Sequence, residues 1–584
     1  MEEEGKQRCC CSCSKEDFFP EESFKSWGNY GRALMQTGAR LRDRITTRSL
    51  DETELNQVKA RSGHEMKRNL TWWDLIWFGI ASVIGSGIFV LTGQEASQSS
   101  GPAVIISYVI SGVSAMLSVL CYTEFAVEIP VAGGSFAYLR VELGDLVAFI
   151  AGGNILMEYV ISGAAVARSW TSYFATLLNH HPNDFRILAP SLSPNYNQLD
   201  PLAVLITVLI SLIPVFSVKG SSRFNYLFSI LHIAVLLFIV IAGLTRAHPS
   251  NLSPFAPFGA SGIFSSAAVL FFAYIGFDAV STMAEETRHP PKDIPIGLVG
   301  SMAITTFFYC LLALTLSLMV PYQNIDPNAP FSVAFEQVGM GWAKYIVAFG
   351  ALKGMTTVLL VASVGQARYM THIARTHMAP PWLGKVHPKT GTPVNATVVM
   401  LVATAIIALF TDLGVLANLL SISTLFIFVL VALALLVRRY YVSGETAAAE
   451  RNKMVVCLVV IVAAAVGMAG SWAAGRGWVG FAVTVPVWFL GTMGLWLGVA
   501  PAREPKKWGV PMVPWLPSAS IGINMVLLGS IDRESFERFG VFTVVLLVYY
   551  VFFGLHASYD TAKAAEVAAA APETRVEEGR AQVG

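Results

Sequence analysis

Charge is what this sequence lacks. Of its 584 residues only 14% are Asp, Glu, Lys or Arg, against 54% hydrophobic, and the formal net charge is +1. Soluble domains carry charge on about a quarter of their residues, so a chain that crosses a membrane many times is expected instead. No basic stripe interleaved with aromatics is present, which excludes nucleic acid as a partner. Cysteine is scarce as well. Cys9, Cys10, Cys11 and Cys13 crowd the polar N-terminus, and Cys121, Cys310 and Cys457 sit in apolar segments. Neither a disulfide framework nor a zinc site fits that spacing. The N-terminal cluster reads as reduced thiols, with acylation as the alternative. There is no phosphate loop, no nucleophile elbow and no metal-ligand pair inside an apolar segment, so an enzyme is not expected, nor is a cofactor or metal. His372, His377 and His387 have no ligand spacing and read as solvated loop side chains. The first 70 residues are polar and lack the apolar core of a signal peptide. They read as a cytosolic tail with one or two short helices.

Apolar stretches of roughly 20 residues, the length that crosses the hydrocarbon, fall near 73–92, 102–125, 146–170, 201–217, 224–245, 260–281, 296–320, 343–364, 394–411, 414–437, 454–474, 479–500, 516–531 and 540–557. The fold class expected is therefore all-α integral membrane with about fourteen spans. Even parity puts both tails on one side. With the N-terminus inside, the inner loops hold sixteen basic residues, among them Arg140, Lys385, Arg438, Arg439 and Lys507, and the outer loops five. That asymmetry places both termini in the cytosol.

The first span contains Leu75–Val90, "LIWFGIASVIGSGIFV", in which Gly85, Ser86 and Gly87 interrupt an apolar run. The sixth reads "AVLFFAYIGFDAVSTMAEE", broken by Gly276 and Asp278. A lone Gly-Ser-Gly could serve a close helix–helix seam. Matched interruptions five spans apart point instead to inverted repeats with a site at the bilayer midplane. Unwinding a helix in lipid strands polar backbone groups. Freed amides at a half-helix N-terminus attract an anion and freed carbonyls at a C-terminus a cation, so a zwitterion fits both ends. The organisation expected is a tail over 1–70, a ten-helix 5+5 inverted-repeat core over 71–437 with spans one and six broken, a linker over 438–453, four further spans over 454–557 and a disordered tail over 558–584.

The segments "GIASVIGSGIFVLTGQEA", "FFAYIGFDAVSTMAEETRHPPKDIPIG" and "KVHPKTGTPVNA" resemble the amino acid–polyamine–organocation superfamily, and within it the cationic amino acid transporter family. The stretches "TRSLDETELNQVKARSGHEMKRNLTWWDL" and "WGVPMVPWLPS" are similar to its plant members, and the resemblance runs from about Ser23 to Tyr559. One departure is Ala81-Ser82, where the family usually has Gly-Ala. The resemblance implies that the substrate carboxylate meets the amides around Ile84, Gly85, Ser86 and Gly87. The α-ammonium would meet carbonyls near Ala81, Phe272, Ala273 and Ile275. Phe272 matches an aromatic gate over the substrate.

Ionisable groups within spans are costly and each is a functional candidate. Glu158 in span three is a candidate for holding a cationic side chain or anchoring a polar network, with plain packing as the alternative. His232 in span five matches a lysine that replaces sodium in proton-coupled bacterial relatives, and its ordinary pKa near 6.5 suits titration. It is the candidate for proton coupling, with a neutral, hydrogen-bonded histidine as the alternative. Asp278 reads as a helix-end cap. Lys353 in span eight is unexplained, since a fixed cation near a site for arginine would repel it. The prolines of "EETRHPPKDIPIG" are expected to forbid a long helix between spans six and seven. The function expected is a secondary amino acid transporter working by alternating access and importing arginine and lysine, with protons as the candidate coupling ion. A neutral or broad-specificity permease and an amino acid sensor on the same fold stay open. The lipid bilayer and an amino acid are the partners. The plasma membrane is favoured over the vacuolar membrane, and the oligomeric state is open.

Overall fold

A computed structural model describes residues 18–46, 70–129, 134–216, 222–277, 280, 283, 287–387, 392–475 and 477–570. Among them the only strands are a two-residue pair, β1 (Ile187–Leu188) and β2 (Gln198–Leu199). The rest is helical. Two short helices open the chain, α1 (Trp27–Met35) and α2 (Thr37–Thr46). Then come α3 (Trp72–Val83), a continuation through a π-helix at Gly87–Leu91, α4 (Thr92–Glu95) and a second π-helix at Ala96–Ser100, and α5 (Val104–Glu128). Next are α6 (Gly134–Leu143), α7 (Asp145–Leu177), α8 (Pro201–Phe216), α9 (Ser222–Leu244), α10 (Gly259–Leu270) and α11 (Pro290–Met319). They are followed by α12 (Pro330–Gln337), α13 (Gly341–Arg375), α14 (Val394–Phe410) and α15 (Leu413–Tyr440). The last are α16 (Ala448–Ala473), α17 (Gly477–Gly498), α18 (Trp515–Leu528), α19 (Arg533–Tyr549) and α20 (Leu555–Ala570).

Among the described residues, eight helical stretches are long and apolar enough to cross a membrane, and five shorter apolar helices lie between them. Local chemistry sets their ends. Asp74 accepts from the Thr71 backbone N–H at 2.9 Å, one arm of a capping box at the start of α3. Asp532 accepts from Ser535 N–H at 2.8 Å at the start of α19. Two expectations need correction. The prolines of the loop after span six do not prevent a helix: Pro290 and Pro291 open α11, where the missing N–H groups have no intrahelical acceptor to lose. The segment 558–570, expected to belong to a disordered tail, continues the last helix to Ala570.

The two ends of the chain meet. The Ser23 backbone N–H donates to Asp560 at 2.8 Å, and Arg40 pairs with Asp560 at 3.1 Å while lying over the Tyr559 ring. Phe19, Phe24 and Tyr30 gather around Phe553. At the same end, Arg438 pairs with Glu142 at 2.6 Å and Arg439 donates to Glu124 at 2.8 Å, tying α15 to α6 and α5. At the other end the fully buried Arg168 of α7 donates to the carbonyls of Ala408 and Gln198, which α14 and β2 leave open. A polar seam joins α18 to α5 through Ser114, Ser118, Ser520 and Asn524. Small hydroxyl residues of this kind let helices approach and bond in an apolar medium.

Candidate functional site

Helix α3 stops at Val83. Ile84 turns extended, at φ −75° and ψ 102°, and the helix restarts at Gly87. Helix α10 tightens into a 3-10 turn at Phe271–Tyr274 and stops at Ile275, at φ −70° and ψ 144°, followed by Gly276 at φ +116°. Both breaks expected from the sequence are therefore present, and they cross. A Cβ on Gly87 would fall 2.5 Å from the Cα of Ala273, and a Cβ on Gly276 would fall 2.5 Å from the carbonyl oxygen of Ser82. Each break thus uses its glycine to receive the bare backbone of the other. The positive φ of Gly276 also suits glycine alone at low cost.

The freed carbonyls are not all open. The carbonyl of Phe272 accepts from Ile275 N–H at 3.1 Å, and that of Ile80 accepts from Ile84 N–H at 3.0 Å. The hydroxyl of Tyr309, on α11, lies 2.8 Å from the carbonyl oxygen of Ala273 and 3.1 Å from that of Val83. Its ring packs with Tyr108 and Tyr274, both at 5.3 Å between centroids. The Tyr274 hydroxyl donates to the Tyr108 carbonyl at 2.8 Å, and the Tyr108 hydroxyl bonds with Thr92 at 2.7 Å. Ser86 is buried at the break, and its Oγ has no hydrogen-bond partner.

On its other side the break lines a narrow cavity of about 10 Å³, room for about one water molecule. Ile80, Ala81 and Ile84 form one wall, and His232 of α9 with Lys353, Gly354 and Thr357 of α13 form the other. The His232 ring fits because residue 354 is glycine, where a Cβ would lie 2.5 Å from its Cε1. The ring sits edge-on to Phe89 at 5.9 Å, is buried, and neither nitrogen has a hydrogen-bond partner. Among the described lining residues the charged group beside His232 is a lysine, not a carboxylate.

The amino acid permease family matches residues 70–497, and the C-terminal domain found with such permeases matches residues 508–558. Three relatives from Arabidopsis thaliana are similar over nearly the whole length. Cationic amino acid transporter 1 is 68% identical over 96% of this chain and 95% of its own. Cationic amino acid transporter 5 is 57% identical over 96% and 98%, and the vacuolar cationic amino acid transporter 8 is 53% identical over 94% and 93%. The chain belongs to the cationic amino acid transporter family.

This member of the cationic amino acid transporter family is a multi-pass integral membrane protein that transports amino acids, a carrier and not an enzyme. The residues expected to serve it fall into groups. Gly87 and Ala273 meet at the crossing, with the buried Ser86 next to Gly87, Ile275 at the second break and the buried Phe272 just before it. The space for a Cβ on Gly85 is bounded by Val358 of α13 at 3.0 Å. Ala81 and Ile84 face the cavity that holds His232 and Lys353. Glu158 is half-buried on α7 and is not part of that lining. Asp278 lies outside the described residues. Tyr309 and Arg168 had no signal in the sequence: a tyrosine in an apolar run reads as packing, and Arg168 lies close to a span end.

Proposed function

We propose that this transporter imports cationic amino acids, arginine and lysine foremost, by alternating access, and that its substrate lies at the crossing of the two breaks. The observation that carries this reading is the crossing itself, with the buried, unpartnered Ser86 Oγ beside the start of a helix and carbonyls converging from the other side. The helix start and Ser86 take the carboxylate, and the carbonyl side takes the ammonium. Fourteen crossings are proposed, with α3 and its continuation as the broken first span; the eight long and five shorter apolar helices among the described residues support this reading. Ten of these, over 71–437, form two inverted repeats of five, and four are added over 454–557. The tails that touch each other are cytosolic, and the plasma membrane is the site of action.

Uptake is coupled to protons through His232, with Lys353 as the second basic group of the same cavity. The inside-negative potential assists. One positive charge gains about 2.3 kcal/mol per 100 mV, roughly 50-fold accumulation. The neutral-substrate reading draws support from Lys353, a cation within the cavity that Ala81 and Ile84 line. Uptake of labelled arginine, lysine, glutamine and leucine in a transport-deficient host separates the two, with external pH varied and voltage clamped. Saturable arginine and lysine uptake, rising with acid outside and negative potential inside, is the expected result. Leucine or glutamine uptake without arginine uptake favours the neutral reading, and binding without flux points to a sensor.

A further inference from the structure

The hydroxyl of Tyr309 sits where the two broken helices turn their carbonyls toward each other, 2.8 Å from Ala273 O and 3.1 Å from Val83 O. Both acceptors lie in a buried, apolar setting. There an unsatisfied carbonyl is expensive, because no water replaces the lost bond. A hydroxyl has one proton to share between the two, whereas an ammonium brings three donors. The ring that carries the hydroxyl is held on two sides by Tyr108 and Tyr274. Tyr108 is bonded to Thr92, beyond the first break, and Tyr274 is the last residue of the 3-10 turn before the second. The donor therefore belongs to the bundle of broken helices and is fixed in place.

We propose that Tyr309 is a positioning residue that stands in for the substrate ammonium when the carrier is empty. A carrier that accumulates substrate must return unloaded, and to close over the crossing it must satisfy the same carbonyls that the ammonium satisfies on the loaded leg. Tyr309 supplies that donor. It thereby sets the rate of the empty return more than that of the loaded crossing. This rests on the reading that an amino acid lies at the breaks.

Tyr309→Phe keeps the ring and removes the donor. In proteoliposomes, arginine–arginine exchange uses only the loaded carrier and is expected to stay within about twofold of wild type, with KM unchanged or lower. Net arginine uptake into empty vesicles requires the unloaded return and is expected to fall about five- to tenfold, the consequence of one lost buried hydrogen bond. In purified protein, the rise in Tm caused by arginine is expected to be larger in the variant than in wild type, because the ammonium restores the missing donor. Net uptake and exchange falling together, or both unchanged with an unchanged ligand-induced shift in Tm, overturn the proposal. If the variant is recovered only when arginine is present during purification, that dependence counts in its favour. The underlying site reading is tested separately on wild type with 5-guanidinovalerate, which is arginine without its α-ammonium. Binding of that analogue as tight as arginine's overturns the placement of the ammonium whatever Tyr309→Phe does.

Discussion

The break in the first span has two faces, and they are built differently. One face meets the break of α10 so closely that Gly87 and Gly276 each lie against bare backbone, with the carbonyls between them served by Tyr309. The other face opens on a cavity with two basic side chains, one of which, His232, has both ring nitrogens without a partner. The first face is a joint, where shape decides. The second holds a histidine whose bonding is incomplete in this conformation, as expected of a place where a proton or ion comes and goes. Under the proposed roles, recognition and coupling share one helix break while depending on separate neighbours, so substitutions on the two sides should fail in different ways.

The largest effect is expected at the joint. Gly276→Ala brings a methyl to 2.5 Å from the Ser82 carbonyl oxygen and forces a side chain into a positive φ, a strain of roughly 1–3 kcal/mol before the clash is counted. Arginine uptake is expected below a tenth of wild type, with surface expression largely kept. Uptake near the wild-type rate, measured per molecule at the cell surface, would show that the two breaks do not stay in register during transport.

On the cavity side the expected failure is of pH response, not of recognition. His232→Ala should leave arginine uptake at pH 7.5 within a few-fold of wild type and flatten its rise as the external pH falls. The charged groups facing this position are set by the cavity: Lys353 lies on α13, and the wall from α3 carries none. An unaltered pH profile in the variant would remove His232 from coupling and turn attention to Lys353.

Ser86, at the break itself, sharpens the comparison. Its Oγ is buried without a partner, so a carboxylate that it contacts is worth about 1–2 kcal/mol. Ser86→Ala is expected to raise KM for arginine about five- to tenfold while leaving the slope of uptake against pH unchanged. A variant with wild-type KM and an altered slope would assign Ser86 to the cavity and not to the joint.

How much of this was legible depends on whether the signal lay along one helix or between helices. The breaks were legible because Gly85, Ser86 and Gly87, like Gly276, violate the apolar composition of their own span, and a cost of that size needs a local reason. His232 and Lys353 were legible as charges in lipid, but not as neighbours, because their shared cavity depends on how α9 and α13 pack against α3. Tyr309 was invisible for the same reason. It stands in "TTFFYCLLALTL", where nothing distinguishes it from a packing residue until α11 is laid against both breaks. The prolines at 290 and 291 misled because proline opposes helix interiors but favours a first turn, and the sequence does not say where the turn begins. The meeting of the tails escaped notice because Ser23, Arg40 and Asp560 are ordinary polar residues separated by most of the chain.

The smallest effect is expected farthest from both faces, at the seam joining the four C-terminal helices to the core. Asn524 donates to Ser118 at 3.0 Å and to Ser520 at 3.2 Å, and accepts from Ser114 at 2.6 Å. Interhelical bonds of this type in membranes contribute about 0.6 kcal/mol on average and at most about 1.7. Asn524→Leu keeps the volume and removes all three bonds, but the serines it abandons can fall back on their own helix: Ser118 already donates to the Ser114 carbonyl at 3.0 Å. The expected cost is therefore roughly 1–2 kcal/mol, a fall in Tm of about 1–2 °C for a protein of this size, with arginine uptake and its pH slope unchanged. If instead the variant lost most of its uptake while keeping its Tm, α18 would have to move with α5 during transport. The C-terminal helices would then belong to the moving part of the carrier and not to its frame.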